Sequence, residues 1–328
     1  MTRFPGTLAN RTVWLAILLL AGCGWGVAVR HPVESDRLTQ RSATIVPGET
    51  TRDEVEELLG KPWLRSQFWR FDVYRAHDVA RDIGGPVILF VPVPVGVFKR
   101  TVDGYLLLTY DETQRVAEVS SGNASKELGN QNGLMLRSGD VYLGVEKTGK
   151  RGPHIMVNAR RLPEYVARRQ SVGGCTVVLS CEETAYEKWP YETCPDRVAI
   201  DSAAPVDLQP FFGACDRADS CPAGASGEGY YVRVPLAFPI PVSPGQHRLT
   251  LGSSVFKGRQ ETVFDCPAGS VRYGAIRGAV QWHWWGPKSS TLNTSVAFED
   301  TPPSRWGESS VLIFQGERWI AEAEPDPR

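Results

Sequence analysis

The chain has no recognisable catalytic signature and little at its start that could span a membrane. No G-x-S-x-G elbow, H-E-x-x-H helix, P-loop or strand-borne G-x-G-x-x-G occurs in the 328 residues. The histidines, His31, His77, His154, His247 and His283, are scattered. Adjacent carboxylates such as Glu182-Glu183 and Asp53-Glu54 read as solvated faces or helix ends. An enzyme would need a site assembled from residues distant in the chain, so a non-enzymatic protein is expected. The cysteines include no C-x2-C pair and have no histidine close by, which argues against zinc. The net charge of −1 lacks the basic excess of a nucleic-acid binder. The apolar run at residues 13–20 is far shorter than the roughly 20 residues a spanning helix needs.

What the start does contain is a positive n-region (Arg3, Arg11), that short apolar run, and small residues at its end. Leu20-Ala21-Gly22-Cys23 resembles the lipobox of bacterial lipoproteins. The resemblance implies cleavage before Cys23 and acylation of its sulfur and new amino group. Each buried CH₂ is worth about 0.8 kcal/mol, and one acyl chain holds only marginally, so several chains make a firm anchor. Gly24, where an Asp would signal retention in the inner membrane, implies the periplasmic face of a Gram-negative outer membrane. Losing Arg3 and Arg11 leaves a net charge of −3. The other six cysteines, Cys175, Cys181, Cys194, Cys215, Cys221 and Cys266, are even in number and share one part of the chain. In an oxidising compartment they read as up to three disulfides, with the pairing open. Cys23 is thus the lipid attachment point, and no cofactor is expected besides that covalent lipid.

After a polar tether over residues 23–41, the chain reads ATIVPGETTRDEVEELLGKPWL. Thr51 and Glu54 fit a capping box. Asp53, Glu54, Glu56 and Glu57 load the front of a helix, which suits its dipole. Val55, Leu58 and Leu59 form one apolar stripe. Gly60 suits a C′ position, and Pro62 stops continuation. Residues 69–74 alternate as a half-buried strand, and residues 105–110 and 115–119 read as two more. A short helix on three antiparallel strands gives a small two-layer α+β sandwich. The run PGETTRDEVEELLGKP, the W-x-F-x-V-Y strand and YLLLTYDETQRV resemble the SmpA/OmlA (BamE-like) lipoprotein domain. Gly48, Thr50, Val55, Leu59, Gly60 and Pro62 carry the resemblance, which covers residues 42–122. It implies an envelope location, with some members assisting β-barrel assembly.

Residues 76–104 interrupt the family pattern with GGPVILFVPVPVGVFKR. Pro86, Pro92 and Pro94 argue against a helix or a central strand. One reading is a loop that dips into the membrane or docks on a partner through Leu89, Phe90, Val91, Val93, Val95 and Phe98, with Lys99 and Arg100 at headgroup level. The other is an edge strand buried against the second module.

Residues 123–133 (NASKELGNQNG) read as a linker. Residues 134–147 are strand-like, and residues 162–170 suggest a helical turn or two. From residue 134 to 328 the expectation is a Cys-rich, mainly β, disulfide-stapled domain, with a β-sandwich from residue 230. Cys175 and Cys181 bracket one strand, and residues 230–234, 246–251, 262–266, 271–276 and 311–314 read as others. Trp282, Trp284 and Trp285 cluster around His283. They suit a buried core, a platform for cell-wall glycan, or membrane contact. The expected whole is an outer-membrane lipoprotein serving as an interaction scaffold in envelope integrity or outer-membrane protein assembly. Its alternative is a peptidoglycan-binding lipoprotein.

Overall fold

The computed structural model describes residues 24–29, 34–88, 91–92, 96–127, 130–145, 152–181, 195, 197–203, 205–207, 236–253, 257–281, 291–302 and 310–321. A small helix-and-strand substructure is followed by a larger β-sheet region, so the architecture is α+β.

The first sheet is built on β3 (Phe71–Ile88), β5 (Gly96–Tyr110) and β6 (Val116–Glu127), neighbours in antiparallel order. β1 (Gly24–Val29), β2 (Leu64–Ser66) and β4 (Val91–Pro92) pair with β3, and β7 (Asn130–Asn132) pairs with β6. Helices α1 (Glu34–Ser42) and α2 (Arg52–Leu59) accompany it. The α2 cap is the expected box: the Glu54 N–H donates to Thr51 Oγ1 at 3.4 Å, and the Thr51 N–H donates to Glu54 Oε2 at 2.7 Å. Gly60 ends the helix at φ 83°, ψ −166°, a region open only to glycine. The apolar run of β5 is continuous because both faces are covered. Leu106, Leu108 and Tyr110 join Val55 and Ile45 on the helical side, while Tyr105 and Leu107 face the other way.

That other face meets a nine-stranded mixed sheet. Its order is β18 (Thr291–Glu299), β17 (Val271–Gln281), β11 (Cys175–Cys181), β14 (Leu236–Val242), β19 (Ser310–Gln315), β10 (Pro153–Asn158), β9 (Val141–Val145) and β8 (Leu134–Ser138). β20 (Arg318–Trp319) hangs on β19. A third sheet orders β13 (Val206–Asp207), β12 (Arg197–Ile200), β15 (Gly245–Gly252) and β16 (Arg259–Cys266). The central strands alternate between two cores, except that Ile313 and Phe314 on β19 both face the first. Ile155, Val157, Val178, Val311 and Ile313 join the core shared with the first sheet. Met156, Val177, Leu179 and Leu312 join the core shared with the third. The three sheets are therefore stacked, with the helices outside the first. Cys175 and Cys266 form a disulfide, Cα atoms 5.9 Å apart, that ties β11 to β16 across the second core.

Several expectations need correction. The strand expected from residue 69 starts at Phe71, because Gln67–Arg70 is a turn with Arg70 at φ 54°. Trp69 belongs to that turn and stacks on Tyr165 at 5.7 Å. The tether contains β1 and α1; β1 takes its hydrogen bonds from a distant strand, and α1 has a single apolar anchor, Leu38, so neither has a local signature. The linker at 123–133 is occupied by the end of β6 and by β7. Beside it, a Cβ on Gly122 would lie 2.7 Å from a Leu134 methyl. The described part of the insertion outside 91–92 is inner strand rather than loop or edge strand. Residues 76–88 and 96–104 simply prolong β3 and β5 in register to Gly84↔Gly96, with β3 between β1 and β5. Pro86 and Pro92 lie beyond the last β3–β5 pair, opposite Gly24 of β1 and Val87 of β3, and Pro94 lies outside the described residues.

Candidate functional site

The prolonged hairpin is an arm. At its base the cores end: Phe71 and Val73 are fully buried, whereas Val79 is 42% exposed. The base is braced by polar contacts. Arg75 donates to Asp103 Oδ1 at 3.2 Å, and His77 Nδ1 lies 2.7 Å from the same oxygen. The Glu34 N–H, opening α1, donates to Asp78 Oδ1 at 2.7 Å. From Ala80 to Ile88 the strand rises about 27 Å at the usual β spacing. Residues 84–98 contain no charged or polar side chain. Below that stretch the register places Asp82 opposite Phe98, then Arg81 opposite Lys99, Ala80 opposite Arg100, and Thr101 opposite Lys126, four basic residues to one acidic.

β1 lies along the same arm. Val29 pairs with Arg81 and Gly24 with Pro86, so the strand runs backwards towards the arm's far end. Cys23 itself, like Leu89, Phe90, Val93 and Val95, lies outside the described residues. Val91 sits in β4 opposite Ile88, and Phe98 in β5 opposite Asp82. Trp282, Trp284 and Trp285 also lie outside the described residues, as do Cys194, Cys215 and Cys221. Cys181 ends β11 opposite Ile276. Of the six expected disulfide cysteines, the described residues bring together Cys175 and Cys266.

Sequence reasoning missed two features of the body. The first is a buried polar knot on α2. Arg52, 4% exposed, donates to both oxygens of Asp72, 0% exposed, at 2.6 and 3.1 Å. It also donates to Gln67 Oε1 (2.7 Å), Gln114 Oε1 (3.1 Å) and the carbonyls of Ser66 and Phe71. Arg65 and the Tyr110 hydroxyl donate to the same carboxylate. Burial, and then the Asp72 charge, push the Tyr110 hydroxyl far above its ordinary pKa. All three Arg52 nitrogens are bonded, so the knot fastens helix to sheet.

The second is a cleft of about 650 Å³ between the central and third sheets. The C-terminal end of helix α3 (Leu162–Ser171), β12, the end of β14 and β20 enclose it. Val198, Ile200 and Ile240 are among its aliphatic walls, and Arg169 and Arg318 bring positive charge. Its turn at Ser243-Pro244 is held by His247: Nε2–H donates to the Ser243 carbonyl at 2.7 Å and Nδ1–H to Asp201 Oδ2 at 2.8 Å. The cleft's lining comes from segments far apart in sequence, so no local motif announces it. Among the described residues no group of His, Cys, Asp and Glu could hold a metal, and no helix is long and apolar enough to cross a membrane. No family model, curated protein or solved structure matches the chain.

Proposed function

We propose that the protein is a lipid-anchored envelope protein that lays its β-arm against the membrane beside the anchor. The three stacked sheets then form a non-enzymatic interaction body in the periplasm, with an SmpA/OmlA-like module nearest the outer membrane. The observation that carries this reading is the register of β1. Gly24 is opposite Pro86, and Cys23 is one residue farther along, about 3.8 Å in Cα spacing. A lipid on Cys23 would therefore emerge beside the uncharged stretch 84–98. The basic residues Arg81, Lys99, Arg100 and Lys126 follow at the depth where anionic headgroups would meet them. Two membrane signals together hold more stably than either one.

The test is a photo-crosslinker at Val87 in the lipidated protein, in intact cells. Phospholipid adducts at Val87, absent when the label is moved to Val263 on the third sheet, are expected. Adducts to protein alone would replace membrane contact with docking on an envelope partner. For the anchor, Cys23→Ala should shift the protein from the outer-membrane fraction to the soluble periplasm. Retention in the membrane would refute lipidation as the anchor.

A further inference from the structure

The cleft behind β12 holds an arginine whose needs the fold does not meet. Arg169 Nε is buried and has no hydrogen-bond partner. A buried donor left unpaired is costly, and more so when it carries charge. Arg318 contributes a second positive charge; one of its nitrogens donates to the Pro205 carbonyl at the edge of the third sheet. Among the described residues no acidic side chain lines the space. Opposite the charge, the walls are aliphatic: Val198, Ile200, Val206, Ile240 and Val242. A volume of about 650 Å³ falls among those that take small organic molecules, which combine an apolar lining with few polar groups.

We propose that this cleft binds an apolar carboxylate, a molecule with an aliphatic body and a single anionic head. The head would accept charge-assisted hydrogen bonds from Arg169, and the body would lie between β12 and β14. This site is independent of the membrane arm and would stand if the arm reading failed. A guanidinium matches a carboxylate in both charge and fork geometry, and the aliphatic walls reward burial of the chain.

Calorimetric titration of the detergent-free Cys23→Ala protein with decanoate, and with its neutral isostere decanamide, decides the matter. One saturable decanoate site is expected, at least tenfold tighter than decanamide. Arg169→Gln should weaken decanoate at least tenfold and leave decanamide unchanged, and Arg169→Lys should recover part of the loss. Ala203→Trp, which fills the cleft while keeping both arginines, should abolish binding of both probes without lowering the melting temperature. Absence of a saturable site, equal affinity for the two probes, or indifference to Arg169→Gln would each overturn the proposal.

Discussion

Asp72 sits where water cannot reach it, receiving hydrogen bonds from two guanidiniums and a phenol. Removing one partner of such a group leaves the other charges buried and uncompensated, at a cost of about 3–5 kcal/mol. Asp72→Ala should lower the stability of the body by that amount, read from urea unfolding midpoints. His247 gives a pH dependence. Both ring nitrogens face acceptors, which requires the imidazolium form. Burial opposes that charge, but the hydrogen bonds to Asp201 and Ser243 and the Asp201 charge outweigh it and raise the pKa above 6.5. The backbone N–H of Arg248, then His247, hold Asp201 below the ordinary carboxylate value. The His247 contribution is therefore complete below about pH 6.5 and is lost as pH climbs through the raised value. The Asp201 contribution is complete above about pH 4 and is lost on acidification through the lowered value. The melting-temperature gap between the parent and His247→Gln should be widest at pH 5–6 and shrink towards pH 8. Neither role could be read from sequence: Arg52 and Asp72 are 20 residues apart, and Asp201 and His247 46 apart, with nothing local to pair them.

At the scale of elements, the legible parts were those whose signals are local. The α2 cap, its apolar stripe and the β5 run needed only neighbours along the chain. Elements paired at long range were not legible. β1 finds its partner more than fifty residues away, and the apparent linker is a strand because β5 is prolonged beside it. The alternation that suggested a strand from Trp69 continued through a turn by coincidence, since Phe68 and Trp69 are buried there against Tyr165 rather than in a ladder. The Cys175–Cys266 bond closes a loop of 91 residues between sheets. Constraint of the unfolded chain gives such a bond about 2–5 kcal/mol. The pair Cys175→Ala with Cys266→Ala should lose about that much in denaturant unfolding, and reduction of the parent should reproduce the loss.

For the whole molecule, the arm is separable from the body. Among the residues whose burial is described, both cores that involve the first sheet are made by residues no farther out than Ala76 on β3 and Tyr105 on β5. Replacing residues 83–97 by Asn-Gly joins Asp82 to Phe98, which already face each other, through a turn that suits an antiparallel pair. The shortened protein should melt within about 3 °C of the parent, a shift that corresponds to well under 2 kcal/mol for a chain of this size. It should also lose vesicle binding. A large fall in melting temperature would mean that the arm contributes to the body's core. The α+β class was legible from the change in periodicity along the chain. The stacking of three sheets was not, because each inner strand serves two cores and reads as uniformly apolar.

The position of β19 carries a consequence for how the chain reaches this state. Among the described residues it is the last long strand in sequence, yet it lies between β14 and β10 in the middle of the nine-stranded sheet. Until residues 310–315 arrive, β8–β9–β10 and β14–β11–β17–β18 are two fragments with no ladder between them. Closure of the sheet therefore waits for residues 310–315, and contacts of such high sequence separation form slowly. A nascent chain would stay open along this central seam until residues 310–315 are free to pair on both sides.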